Sequence, residues 1–208
     1  MSKNFFFKKI IFNEEFRCFK AGEIFEFRPG INLLVGDQGC GKSSMFHVIM
    51  KFGQYNIDAE YDESSNYTFL DTESMNPRLK NSWEAHRDFK TVTEYNKAEF
   101  DHALDTFAYD YKYKSHGQIM LPLMLAQKKI KRKTILIDEP EAGLSIRSQY
   151  KVLEHYKELS KNNQLIIATH SLPIISEIGE VLSLEDKKWM TSNEFILTQK
   201  NKNDNKEK

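Results

Sequence analysis

Three short, nearly unbroken apolar runs punctuate the chain, and each ends at a glycine or a polar group. They are "INLLVG" at 31–36, "TILID" at 134–138 and "QLIIATH" at 164–170. Runs this brief and this uniformly apolar predict strands buried on both faces of a parallel sheet. Ahead of them, "FFFKKIIF" and "GEIFEFRPG" alternate well enough for an antiparallel pair, and Arg28-Pro29-Gly30 predicts the turn into the first buried run. Helical spacing marks "KSSMFHVIMKF", where Met45, Val48, Ile49 and Phe52 share a face, and "SIRSQYKVLEHYKEL" also reads as a helix. "QIMLPLMLAQKK", 118–129, is apolar nearly all round and predicts a buried helix with Pro122 in its early turns.

The rest is less regular. Residues 54–67 are polar and predict a loop or short strand, and "TFLD" at 68–71 a short strand. From 77 to about 113 the chain is charged and aromatic, with helical periodicity around Phe89, Val92, Tyr95 and Phe100. Together with the following helix this predicts a small helical lobe at about 77–128, inserted in a single domain spanning 1–198. "EVLSLED" and "WMTSNEFIL" read as closing strands, and the polar 199–208 as a disordered tail. There are no repeats and no sustained heptads. The class is α/β: a mostly parallel sheet flanked by helices, with antiparallel strands at the N-terminus.

Composition narrows the function without deciding it. The 208 residues suit one domain, and 40% hydrophobic with 29% charged residues describes a globular chain with a real core. Thirty basic and thirty acidic residues cancel, so no global field draws the chain to nucleic acid or anionic membrane. The densest basic cluster, "KKIKRK" at 128–133, reads as a solvated helix end or a nucleic-acid contact. No apolar run is long enough to span a bilayer, and Lys8 and Lys9 break the N-terminal apolar stretch before it resembles a secretion signal. Cys18 and Cys40 form neither a disulfide framework nor a zinc set, which fits a cytoplasmic setting.

The chemistry lies at the ends of the buried runs. Gly36-Asp37-Gln38-Gly39-Cys40-Gly41-Lys42-Ser43, with Ser44 following, matches G-x-x-x-x-G-K-[ST] at every fixed position, between a strand and a helix. Glycines let backbone amides turn inward around phosphates, Lys42 is expected at the β- and γ-phosphates, and the Ser43 hydroxyl at magnesium. Cys40 occupies a variable position, either incidental or open to oxidation. Asp138 ends the second buried run, where a carboxylate can hold magnesium through water, and Glu139 follows as a candidate base for an attacking water. His170 ends the third run and is expected at the same sheet edge.

These motifs, in this order, resemble the ATP-binding-cassette ATPases. "ILIDEPEAGLS" is similar to the RecF-like and overcoming-lysogenisation-defect-like predicted AAA ATPases. The resemblance covers about 20–185 and implies Mg-ATP as ligand, ATP hydrolysis, and a head-to-tail homodimer sandwiching two nucleotides. The family's L-S-G-G-Q signature falls about twenty-three residues before the Walker B aspartate, which places Lys114-Ser115-His116-Gly117-Gln118 in register. Ser115 and Gly117 are then expected to contact the γ-phosphate held by the opposite subunit, and His170 to sense it. His116 departs from the signature, and Ser145 replaces the aspartate expected after Walker B. No glutamine loop is evident, with Glu73 or Asn76 as substitutes, and the base-stacking aromatic stays open among Phe16, Phe19 and Phe25. Only about seventy residues separate Ser43 from Ser115, with no coiled coil between them. The resemblance thus implies a bare head acting as a switch or motor in repair, phage or defence, with a protein effector or nucleic acid as further partner. The alternatives are a transporter motor subunit and a non-hydrolysing, ATP-gated module.

Overall fold

The computed structural model describes residues 7–62, 66–71, 116–125 and 130–204. Its centre is a six-stranded sheet in the order β5(Asn66–Asp71), β6(Lys133–Asp138), β7(Gln164–Ala168), β3(Ile31–Val35), β8(Glu180–Ser183), β9(Lys188–Thr191). The first five run parallel and β9 closes the edge antiparallel to β8. A separate three-stranded antiparallel sheet has the order β2(Ile24–Glu26), β1(Phe7–Phe12), β4(Ile57–Tyr61). The helices are α1(Lys42–Met50), α2(His116–Leu125), α3(Ile146–Leu159), α4(Leu172–Ile178) and α5(Ser192–Asp204).

The uniform apolarity of the three central strands follows from burial on two faces, because alternate side chains enter different cores. Leu33, Ile135, Ile137, Leu165 and Ile167 pack with Val152, Leu153 and Tyr156 of α3 and with Ile174 and Ile175 of α4. Leu34, Leu136, Ile166 and Ala168 face the opposite way, against Met45, Phe46 and Ile49 of α1 and the phenylalanines of the antiparallel sheet. Two buried amides join the parts. Gln164 accepts from the Phe7 amide at 2.8 Å and donates to the Phe7 carbonyl at 2.8 Å and the Arg28 carbonyl at 3.1 Å. Asn32 accepts from the Arg28 amide at 2.7 Å and donates to its carbonyl at 2.8 Å, locking the turn that feeds β3.

Several boundaries differ from expectation. Residues 57–61 take the strand option expected for 54–67, and the 118–129 helix starts two residues early, at His116, Pro122 included, with 126–129 outside the described residues. α4, a seven-residue helix capped by Ser171, fills a stretch with no expected element. "WMTSNEFIL" is a strand only to Thr191. It then becomes α5, which runs into the polar stretch expected to be disordered as far as Asp204. The reason is a reciprocal cap. The Thr191 amide and hydroxyl donate to the Glu194 carboxylate at 2.7 and 2.8 Å, and the Glu194 amide donates to the Thr191 hydroxyl at 3.2 Å. Residues 77–115 of the expected helical lobe, with Glu73 and Asn76, lie outside the described residues, as does 205–208 of the tail. Lys131 and Arg132 of the basic cluster are exposed.

Candidate functional site

Parallel pairing brings the ends of β3, β6 and β7 to one edge, with Leu34 beside Ala168 and Ala168 beside Asp138. The glycine-rich loop leaves β3 there. Gly36, Gly39 and Gly41 have φ of +146°, +85° and +106°, in the region that side chains disfavour. At two of them space is closed as well. A Cβ on Gly36 would sit 2.6 Å from the Cys40 sulfur, and one on Gly41 2.3 Å from the Cys18 sulfur and 2.8 Å from Phe19 Cζ. The loop is therefore threaded between close neighbours. Asp37, Gln38 and Gly39 are exposed along it, so the loop lies at the surface at the start of α1.

Lys42, only 7% exposed, donates from its ammonium to the Gly36 carbonyl at 2.9 Å and the Asp37 carbonyl at 3.1 Å. The ammonium is thus held inside the curl of the loop, with the Cys40 sulfur at 3.7 Å. Burial pushes the Cys40 thiol above its ordinary value, and nearby Lys42 only partly opposes this. The Ser43 hydroxyl donates to Asp138 Oδ2 at 3.1 Å, joining residues 95 positions apart. A hydroxyl and a carboxylate so close, both hard oxygen donors, fit a magnesium ion completed by phosphate and water oxygens. Ser44 accepts from Arg17 at 3.0 Å.

Glu139 has φ of +45°, and its amide donates to the Ala168 carbonyl at 2.9 Å. This twist off the end of β6 leaves its carboxylate half exposed, 3.7 Å from His170 Nε2. The sequence did not single out Glu141, yet its Oε1 accepts from the His170 backbone amide at 2.6 Å. Its other carboxylate oxygen is buried without a hydrogen-bond partner. Ser171 then caps α4 by accepting from the Ile174 amide at 3.2 Å, and donates to Gln149 of α3 at 2.7 Å. Ser145, where an aspartate was expected, caps α3 by accepting from the Ser148 amide at 3.3 Å.

Not every expected residue joins this cluster. Ser115 lies outside the described residues. Gly117 stands in the first turn of α2, where an added Cβ would meet the Gly143 carbonyl oxygen at 2.5 Å. It packs within its own chain against the loop after β6. Of the three candidate stacking aromatics, Phe19 and Phe25 are each 1% exposed and part of the core. Phe16 is half buried, its ring 4.6 Å from that of Tyr55 and under the Arg17 guanidinium.

The profile of the AAA ATPase domain family matches residues 56–175, more than half of the chain. The chain belongs to the AAA ATPase domain family. Within a chain of this family, the DNA repair protein RecN of Aquifex aeolicus (strain VF5) is a natural comparison, being 30% identical over 109 residues. That match covers 50% of this chain and 20% of RecN, so the chain spans about a fifth of that relative's length. Solved structures show the same fold. A putative metal-chelate type ABC transporter in an inward-facing conformation superposes with a TM-score of 0.59 at 18% identity, over 91% of this chain and 85% of that one. The cbiO1 protein of Clostridium perfringens gives 0.59 at 16%, over 93% and 92%. An ATP-binding cassette solved as a dimer in a post-hydrolysis state with ADP and Pi gives 0.58 at 15%, over 91% and 97%. This AAA ATPase domain therefore has the α/β fold of an ABC-type head, built around a P-loop. Among the described residues, no helix is long and apolar enough to cross a membrane.

Proposed function

We propose that this single-domain chain binds Mg-ATP at the 36–44 loop, hydrolyses it to ADP and phosphate, and uses the cycle as a switch. The observation that carries this reading is the meeting of Ser43 with Asp138 at 3.1 Å, beside Glu139 and His170 at 3.7 Å. The backbone of Gly36 to Gly41 cradles the phosphates, and Lys42 exchanges its loop carbonyls for β- and γ-phosphate oxygens. Ser43 and Asp138 hold the magnesium, whose charge screens the phosphates when bound. Glu139 accepts a proton from the attacking water, and His170 lies within reach of both that carboxylate and the γ-phosphate edge. Phe16 is the aromatic left accessible for the base.

Two copies are expected to meet head to tail, with Ser115 and Gly117 of each completing the other's nucleotide site, as the signature register implies. RecN is a repair protein by name, and the 30% identity over 109 residues favours repair among the repair, phage and defence settings we propose for this chain, with the cytoplasm as its compartment. A protein effector or nucleic acid partner belongs to that setting. The shared fold with transporter cassettes leaves the motor-subunit reading as a second possibility, which co-purification with a membrane protein would favour.

Glu139→Gln tests the core of the proposal. Phosphate release should fall about 10²- to 10⁴-fold, the range a positioned base contributes, while Mg-ATP still binds. Unchanged turnover would mean that another group is the base, and no phosphate release from the wild-type chain would leave a non-hydrolysing module. With ATP trapped, the same variant should elute as a dimer in sizing measurements, and a Ser115 substitution should restore the monomer without loss of nucleotide binding.

A further inference from the structure

A charged pair touches the phosphate loop from the side opposite Ser43 and Asp138. Glu185, in the turn between β8 and β9, accepts from the Asp37 backbone amide through Oε1 at 2.7 Å. Its Oε2 pairs with the Lys202 ammonium of α5, the helix in the stretch expected to be a tail. The loop is pressed against it, since a Cβ on Gly36 would lie 3.3 Å from Glu185 Cγ. A cavity of about 230 Å³ opens beside the pair, lined by Gly36, Asp37, His170, Phe195, Gln199 and Lys202.

A carboxylate in this place is a paradox for a loop whose amides collect phosphate. Its charge opposes any anion arriving at Gly36 to Gly41 and opposes a triphosphate more than a diphosphate. Lys202 resolves the conflict by standing among the carboxylates of Glu185, Asp186 and Asp37. Burial alone would raise the Glu185 carboxyl, but Lys202 and the Asp37 amide outweigh it and hold the group below its ordinary range. The carboxylate thus stays ionised, gripping the loop amide, while its charge is cancelled by α5.

We propose that Glu185 and Lys202 are positioning residues for the phosphate loop, a charge-compensated latch through which α5 sets the affinity for triphosphate. With the pair closed, Asp37 is fixed and the charge of Glu185 is offset by Lys202. With Lys202 withdrawn, Glu185 becomes an electrostatic inhibitor of ATP binding. The inference rests on the ATP-binding reading above.

The test measures Mg-ATP and Mg-ADP binding by titration calorimetry on the full chain. The variants are Lys202→Met, which keeps the aliphatic stem, Glu185→Gln, which keeps an oxygen for the Asp37 amide, and the double variant. Lys202→Met should weaken Mg-ATP about fivefold at low salt and Mg-ADP less, with the loss shrinking as salt screens Glu185. The double variant should return to within about twofold of wild type, a rescue that a folding defect cannot produce. Wild-type affinity in Lys202→Met, equal ATP and ADP losses, or a double variant as weak as Lys202→Met each overturn the latch. If wild-type chain binds neither nucleotide, the ATPase reading falls and the latch with it.

Discussion

Gly41→Ala offers a quantitative test of how the phosphate loop is held. Gly41 precedes α1, its carbonyl accepts from the Met45 amide at 2.8 Å, and its φ is +106°. An alanine there carries a backbone cost of about 1–3 kcal/mol for the disfavoured φ. The new methyl also meets the Cys18 sulfur at 2.3 Å and Phe19 Cζ at 2.8 Å. Cys18 is exposed and can swing away, but Phe19 is 1% exposed and stacked on Phe12 with ring centroids 4.6 Å apart. Overpacking against such a ring adds about 1–3 kcal/mol, giving a total of about 2–6 kcal/mol. For a chain of this size that is a fall in Tm of roughly 5–20 °C. Gly39→Ala is the control, because its φ of +85° carries a similar backbone cost while nothing lies within 4 Å of the new methyl. Thermal unfolding by circular dichroism should therefore place Gly41→Ala well below Gly39→Ala. Adding Cys18→Ala to Gly41→Ala should recover only part of the loss, since the Phe19 contact remains. Equal midpoints for the two glycine variants would refute the steric half of the argument.

Gly117→Ala separates helix propensity from packing. Propensity alone favours alanine in a helix by up to about 1 kcal/mol, but the methyl would meet the Gly143 carbonyl at 2.5 Å. We expect a net loss of about 1–2 kcal/mol in unfolding free energy from urea titration, with ATP turnover falling as the loop that carries Glu139 shifts; a gain in stability refutes the contact. Glu194→Gln probes the cap of α5. The Thr191 amide and hydroxyl hold the Glu194 carboxyl below its ordinary value of 4.5. A lowered folded-state value stabilises the fold above that ordinary value and loses this as pH falls through the folded one. The variant should therefore unfold at lower temperature at pH 7, and the gap should narrow as pH falls below 4.5 and through the lowered folded-state value; a gap independent of pH refutes the charge argument.

The sequence disclosed the central sheet because burial on two faces leaves an unbroken apolar run. It pointed to Asp138, Glu139 and His170 because each ends or directly follows such a run, and to Ser43 through the glycine-rich motif that follows the first run. Elements whose logic is polar were harder to read. Ser171 followed by Leu172-Pro173 is a helix start, but α4 has seven residues, too few to establish an apolar period. Thr191-Ser192-Asn193-Glu194 is a capping box in plain sight, and the apolar "WM" before it and "FIL" after it drew the reading toward a strand. The Glu185 contact with Asp37 spans 148 positions and joins polar groups that carry no periodic signal. Glu141 carries no sequence signal for a similar reason, since its contact is with a backbone amide 29 positions away.

Register explains why the Ser43–Asp138 pair forms although β7 stands between their strands. Along the sheet edge Leu34 lies beside Ala168, and Ala168 beside Asp138. Alternation places Leu136 and Ala168 in the core that faces α1, so Asp138, two residues beyond Leu136, projects to that same side. Ser43 lies in the first turn of α1, directly above this row. The intervening residue is an alanine with no exposed surface, the smallest chiral side chain a strand can carry. A larger one would lift the start of α1 away from the sheet and lengthen the 3.1 Å contact. The two oxygens suited to a metal are therefore set by the parity of β6 and the small volume of Ala168. Glu139, one position further and turned by its positive φ, is released from that face toward His170. One strand end thus supplies two carboxylates pointing to different tasks.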